Sequence, residues 1–435
     1  MCEDEGRMTI TDQSIEQQTN RVEVRQQTTS RPKIAYIMSR FPKLTETFIL
    51  FEMGELEQQN VQVELYPLLR EKTTVMHPEA EEWVKRAHYT PFISLPIFWA
   101  QIRYIISRPR AYFGALWALL RGTFGSLNFF VGGLGIFPKS VYFAQLMEAD
   151  GVQHVHAHFA NHPAAAAFII HRLTGIPYSF TAHGSDLHMD RHMLREKVAE
   201  AALVVPISNY NKEMILADAG EQYRDKVEVI HCGVDTRVFQ PVTRPPHDGP
   251  LSLLCIGTLH EVKGQTYLIE ACRLLTERGI DVVCRFVGDG PDHQMLAEQI
   301  AKAGLSDRVE LLGRRTREQI AELLRNTDVV VTPSVPTKSG KREGIPVVLM
   351  EAMASGVAVV ASGISGIPEL VDDQVGGLLT PPRDAAALAD ALEKLQRDPE
   401  LRQRLGKAGR EKVLREFDLT TNARLLIERF LSISR

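Results

Sequence analysis

Two glutamates, Glu343 and Glu351 in EGIPVVLMEAMASG (343–356), combine residue type and spacing in a way that could do chemistry. Pro346 suits the first turn of a helix, where its missing N–H costs nothing. Glu343 is then expected in the loop before that helix and Glu351 inside it. Along a helix, eight steps cover roughly 12 Å, so the two carboxylates are too far apart to serve one reacting atom. They could hold two parts of one long ligand. Between them a helix N-terminus offers free N–H groups and a positive dipole end, an anion site suited to a diphosphate. A carboxylate also accepts paired hydrogen bonds from a vicinal diol, as in a ribose or hexose. Sugar, diphosphate and ribose in a row describe a nucleotide sugar. Spacing alone leaves open that both glutamates face solvent.

Other candidates are less specific. Lys263, in VKG, reads by itself as a surface lysine at a helix start. His183 lies in FTAHGSDL, at the end of an expected strand, and Asp186 follows three residues later. Asp186 can orient that loop, cap the next helix or contact an acceptor. His154, His156, His158 and His162 raise the question of a metal. Spacing of two along a strand puts three of them on one face, but no matching carboxylate set is evident. We expect a polar strand edge near a cleft and no metal. The five cysteines fit no zinc or redox spacing and read as free thiols in a reducing compartment.

These residues need elements to position them. IAYIM (34–38) and VQVELYPL (61–68) read as strands around the helical LTETFILFEMGELEQQ. The pattern resumes with VQHVHAHF (152–159), a helix over 163–175, YSFTAHG (178–184), ALVVPIS (202–208) and KVEVIHCGV (226–234). A second series begins at Leu251 with LSLLCIG, VVCRFVGDG, RVELLG, DVVVTPS and VAVVAS, each followed by a helical stretch. Repeated β–α alternation predicts doubly wound parallel sheets, with ligands outside the C-terminal strand ends. The expected organisation is a flexible tail (1–30), an α/β domain (31–235), a Pro-rich linker (236–250) and a second α/β domain (251–415). A C-terminal helix (416–435) could cross back to the first domain.

Between Trp83 and Met147 the composition changes. The segment holds all three Trp residues and seven Lys or Arg, with no Asp or Glu. Aromatic and basic residues without acids suit an anionic membrane surface, although helices packed into the first domain with Arg outward give the same composition. A chain of 435 residues exceeds one comfortable core. Its net charge of −4 and lack of a recognition motif set nucleic-acid binding aside. Residues 1–30 lack an apolar h-region, and no run is long enough to span a membrane, so a cytoplasmic location is expected, with peripheral contact at the inner face of the membrane.

EGIPVVLMEAM resembles the E-x7-E motif of retaining glycosyltransferases of family four, which have the GT-B fold of two Rossmann-like domains facing across a cleft. IGTLHEVKG, FVGDGP, VELLG, DVVVTPS, SGIPELV and GGLLTPP resemble stretches of that family in the same order, and SRFPKLTETFI, FTAHGSDL and VPISN do so more weakly. The opening segment and KSGKREGIP look like bacterial exopolysaccharide enzymes of the colanic-acid type. The resemblance covers roughly residues 33–430. It implies a donor bound by the second domain and an acceptor, a glycan or lipid-linked glycan, bound by the first. Glu343 would contact hydroxyls of the transferred sugar, and Glu351 the ribose. Gly344, Ile345, Pro346 and Val347 would approach the donor through backbone N–H groups, with Lys263 on the diphosphate and His183 beside the sugar. No cofactor or metal is implied beyond the nucleotide-diphosphate sugar itself.

Two positions depart from the family pattern. Thr258 stands where the family commonly has an Arg, so one cation of the diphosphate clamp is missing. Lys338, Lys341 and Arg342 are close enough in sequence to compensate. SRFPKL replaces a Gly-Gly turn in a loop that normally borders the acceptor, which places Phe41 and Asp186 on the acceptor side. Competing readings on the same fold are a non-catalytic sugar-nucleotide-binding or assembly protein, a nucleotide-sugar epimerase and a phosphorylase.

Overall fold

The computed structural model describes residues 31–434, except 44–45, 73–75, 189 and 242–248. The expected tail over 1–30, with Cys2, and much of the Pro-rich stretch lie outside the described residues.

Two parallel sheets organise the chain. The first contains β1 (Lys33–Phe41), β2 (Gln62–Arg70), β3 (His154–His158), β4 (Tyr178–Ala182) and β5 (Leu203–Pro206), in the order β2-β1-β3-β4-β5. The second contains β6 (Leu251–Ile256), β7 (Val282–Val287), β8 (Val309–Leu311), β9 (Val329–Thr332), β10 (Ala358–Ser362) and β11 (Leu378–Thr380), in the order β11-β10-β9-β6-β7-β8. Parallel neighbours need long crossovers, and helices supply them. Helices on both faces explain the continuous apolar runs: every residue of β9 and β10 is buried. The strand order reverses between β1 and β3 and between β6 and β9. Loops diverge at such points and leave a crevice beyond the C-terminal strand ends. The α/β, doubly wound reading is what the structure shows.

Three local expectations differ. KVEVIHCGV (226–234) is not a strand. Val227 makes one bridge to Val204, His231 Nδ1 lies 2.8 Å from Ile207 O, and Val234 bridges Asp418. These contacts carry the chain from one domain to the other instead of extending the sheet. Pro346 caps the helix Val347–Ala354 from outside, in extended conformation, and is not in its first turn. His154, His156 and His158 sit fully buried on β3, the middle strand of five, not on an edge.

The Trp83–Met147 segment begins within the helix Pro78–Arg86 and continues through Leu95–Ser107, Pro109–Thr123 and Leu127–Ala149. Trp83 is buried under the Arg86 guanidinium, 3.7 Å from its ring. The last three helices each carry an inward apolar stripe, such as Tyr112, Ala115 and Leu119. Each also carries an outward one: Leu95, Phe98, Trp99 and Ile106; Phe113 and Trp117, with Phe124 just past the helix end; Leu127, Val131 and Leu134. Trp99 and Trp117 are 62% and 67% exposed. Among the described residues no helix is long and apolar enough to cross a membrane.

The last helix, Leu419–Ile433, leaves the second domain and lies against the helix Thr47–Gln58. Its Ala423, Leu426, Ile427 and Phe430 are buried in one cluster with Ile34, Tyr36 and Leu56. The Phe430 ring stacks on His154 at 4.7 Å.

Candidate active site

The second domain builds one wall of the site at its strand reversal. β6 runs into Gly257 and Thr258, then a short turn over Glu261–Lys263. Gly264 closes that turn at φ +67, and a Cβ there would lie 1.9 Å from Pro333 O. Only glycine permits both the backbone and the approach. The turn folds Lys263 back across Gly257, whose Cβ would lie 3.1 Å from Lys263 Cε. Lys263 Nζ thereby reaches Glu343 Oε2 at 2.6 Å. Two residues eighty positions apart form one ion pair, each about one-fifth exposed (20% and 18%).

Beyond Glu343 the helix Val347–Ala354 starts with no side chain capping it from the N-cap position, which Pro346 occupies. Thr332 Oγ1, Ser334 Oγ and Ser365 Oγ, after or at the ends of β9 and β10, are buried without a hydrogen-bond partner among the described residues. Buried polar groups normally have partners, and such orphans mark a place for a polar ligand. Glu351 lies one turn into the helix. Burial pushes its carboxyl up to about 7, with the Arg317 guanidinium pulling the other way. Arg317 itself lies over the Phe51 ring at 4.0 Å and the Phe239 ring at 5.3 Å. Thr258 is exposed, and its carbonyl accepts from Gln265 Nε2.

The first domain supplies the facing wall. β4 ends at Ala182, and His183 follows. A Cβ on Gly344 would lie 2.7 Å from His183 O, so the Glu343 loop meets His183 directly. Phe48 and Phe159 flank the His183 ring at 4.6 and 4.7 Å. Burial, then the neighbouring His158 imidazole, hold His183 well below the usual histidine range, so it is neutral. Asp186 accepts from the backbone N–H groups of Ala160, His183 and Gly184. Burial raises its carboxyl, and those N–H groups oppose the rise. Its geometry is that of a residue holding a loop. Phe41 is 3% exposed, with its ring in the apolar cluster of the first domain.

Polar contacts join the walls. Glu369 accepts from Asn209 N at 2.7 Å and Tyr210 N at 2.8 Å, and so caps the helix Asn209–Ala219 from the other domain. Arg342 Nη1 donates to Tyr210 OH at 3.1 Å.

This two-walled arrangement matches known proteins along nearly its whole length. Residues 46–238 match the model described as Glycosyltransferase Family 4, and residues 240–412 that of Glycosyl transferases group 1. The putative colanic acid biosynthesis glycosyltransferase WcaL of Salmonella typhimurium is 30% identical over 89% of this chain and 96% of that protein. The chain belongs to glycosyltransferase family 4. Amylovoran biosynthesis glycosyltransferase AmsK of Erwinia amylovora is 36% identical over 57% of this chain, and the match spans 61% of AmsK. For WcaL of Escherichia coli the identity is 40%, over 45% of this chain and 48% of the relative. Among solved structures, Anabaena Alr3699/HepE in complex with UDP superposes with a TM-score of 0.69 at 19% identity, covering 92% of this chain and 100% of that one. Sucrose-phosphate synthase of Thermosynechococcus elongatus gives 0.67 at 20% identity, over 93% and 99%. The fold is GT-B.

In this family 4 chain the structure brings together Glu343, Lys263, Gly344 and His183. Ile345 is buried beneath Gly366, whose Cβ would lie 2.7 Å from Ile345 Cγ1. Pro346 and Val347 sit where the helix opens. Phe41 and Asp186 face inward, and Arg342 reaches across to Tyr210. Sequence reasoning missed Glu52, Tyr36, Arg317 and Glu369. Glu369 lies in the family-like stretch SGIPELV without having been given a role, the other three lie in none of the family-like stretches, and each gains its place only when distant elements pack.

Proposed function

We propose that this chain transfers a sugar from a nucleotide-diphosphate sugar to an acceptor hydroxyl, with retention, in the synthesis of an exopolysaccharide or another surface glycan. The carrying observation is the Lys263–Glu343 pair, at an uncapped helix start and against His183. Lys263 and the helix N–H groups at 344–347 would take the diphosphate, Glu343 the transferred sugar, Glu351 the ribose. The C1–O bond to the diphosphate breaks, and the acceptor oxygen bonds to C1 on the same face. The acceptor proton passes to a diphosphate oxygen. Lys263 and the helix dipole supply the positive charge that a divalent cation would otherwise bring, so the reading is metal-independent. Closure of the walls excludes the water that would hydrolyse the donor. HepE, solved with UDP-glucose as well as UDP, supports the donor class.

The proposed acceptor is a glycan or lipid-linked glycan, met at the cytoplasmic face of an anionic membrane. The outward stripes of the three helices after Phe92, beside Arg103, Arg110 and Arg121, would make that contact. Thr258 favours one rival, a sugar-nucleotide-binding protein without catalysis, because it leaves Lys263 without the second cation of the family clamp.

Glu343→Gln decides between them. It releases Lys263 from its ion pair, so nucleoside diphosphate binding, read as thermal stabilisation, should persist or strengthen. Transfer should fall by roughly a hundredfold or more in a folded protein. Transfer at the wild-type rate would refute the role of Glu343. A wild-type protein that binds nucleotide sugars and makes no product would establish the rival.

A further inference from the structure

Beneath the cleft lies a chain of hydrogen-bonding groups that the proposed reaction does not use. Glu52, on the helix Thr47–Gln58, accepts from Tyr36 OH at 2.7 Å and lies 3.2 Å from His158 Nε2. His158 Nδ1 lies 3.0 Å from His183 Nε2. Tyr36 and His158 are fully buried, and His183 nearly so.

For neutral rings, valence orders the hydrogens. The carboxylate oxygen that accepts from Tyr36 OH accepts again from His158 Nε2, which therefore carries a hydrogen. One N–H to a neutral ring leaves His158 Nδ1 a lone pair. That lone pair faces His183 Nε2, which must therefore carry the hydrogen between them. His183 Nδ1 is then the free acceptor of the chain. It points toward the half-buried Cys232, whose Sγ is 3.8 Å away. A thiol is a weak donor and readily displaced.

We propose that Glu52 and His158 are positioning residues that set His183 as a hydrogen-bond acceptor, through Nδ1, for a hydroxyl of the sugar being transferred. The inference rests on the reading that places His183 beside the donor sugar. The same groups suggest a rival use, because ligand atoms of Glu52, His156 and His158 lie within 4.8 Å of one another. All four imidazole nitrogens already have partners, however. His156 meets Ser179 Oγ at 2.7 Å and Thr181 Oγ1 at 2.9 Å, and His158 meets His183 and Glu52. A cation would have to break such bonds inside a packed sheet, so the geometry favours the hydrogen-bonded chain.

Glu52→Leu removes the acceptor and reverses the order. Tyr36 OH and His158 Nε2 meet one oxygen, Glu52 Oε1, at 2.7 and 3.2 Å, so a Gln carbonyl could accept from both and would keep the order. Against Leu a buried N–H is the costlier orphan, so the hydrogen moves to His158 Nδ1 and His183 Nδ1 becomes a donor. We expect kcat to fall about tenfold or more, with the donor KM within about twofold. Nitrogen-15 NMR should show His183 protonated on Nε2 in the wild type and on Nδ1 in the variant. In a His183→Ala background, Glu52→Leu should cost no further activity, because its effect passes through the missing ring. An equal loss in both backgrounds overturns the proposal, as does a wild-type His183 protonated on Nδ1. Stoichiometric zinc in the purified protein, with stability lost to a chelator, overturns it in favour of the metal. If the wild type shows no transfer at all, the functional reading fails by itself, and the NMR measurement still decides the order of hydrogens.

Discussion

Glu351 carries a charge that burial resists. Its carboxyl ionises near 4.5 when exposed and near 7 in the fold. Between those values the folded chain holds a proton that the unfolded chain has released. Stability from this group is therefore complete below about 4.5 and is lost as pH rises to 7 and beyond. The deficit amounts to up to about 3 kcal/mol. Glu351→Gln should raise the melting temperature at pH 8 and leave it unchanged at pH 4.5, while weakening binding of the nucleotide. A variant equally stabilised at both pH values would show that burial is not the cause. At this scale the motif was legible and its partners were not. Glu343 and Glu351 stand out because seven residues separate them on one segment. Lys263 next to Gly264 gave only a surface lysine, since its contact with Glu343 depends on where β6 and β9 lie in the sheet. Glu52, the carboxylate that the β3 histidines lacked, comes from a helix about a hundred residues earlier, and no local pattern marks it.

At the scale of elements, the apolar pattern located every strand of the two sheets except β11, because both sheets are buried; it missed the helices Pro78–Arg86, Leu194–Glu200 and Asn209–Ala219. It failed where burial and sheet membership part company, as at 226–234, whose apolar residues pack during a crossing between domains. It also left the three aromatic helices undecided, since composition cannot tell an inward stripe from an outward one. The structure shows both stripes on each helix. Exposed aromatic side chains beside the exposed Arg103, Arg110 and Arg121 would enter the boundary of an anionic bilayer. Replacing Trp99 and Trp117 together with Ser should weaken co-sedimentation with vesicles containing phosphatidylglycerol by roughly tenfold, with transfer to a soluble acceptor retained. Neutral vesicles should bind both proteins poorly. Equal binding by the variant would assign these stripes to another partner.

Across the whole molecule, the domains are tied at more than one place. Glu369 caps a helix of the first domain, and the helix Leu419–Ile433 returns to cover the β3 histidines. Phe430→Ala should destabilise the fold by about 3–5 kcal/mol, read by chemical denaturation, because it opens a hole beside His154 and His156. A loss no larger than that of an exposed substitution such as Leu425→Ala would show that the helix merely rests on the surface. The returning helix also dictates an order of events. A ribosome completes the first domain's strands long before it reaches Leu419, and domains ordinarily fold as they emerge. Here the nascent first half keeps one apolar face open until Leu419–Ile433 has been made. The first domain must wait, unfinished, while the whole second domain is synthesised, and the two mature together.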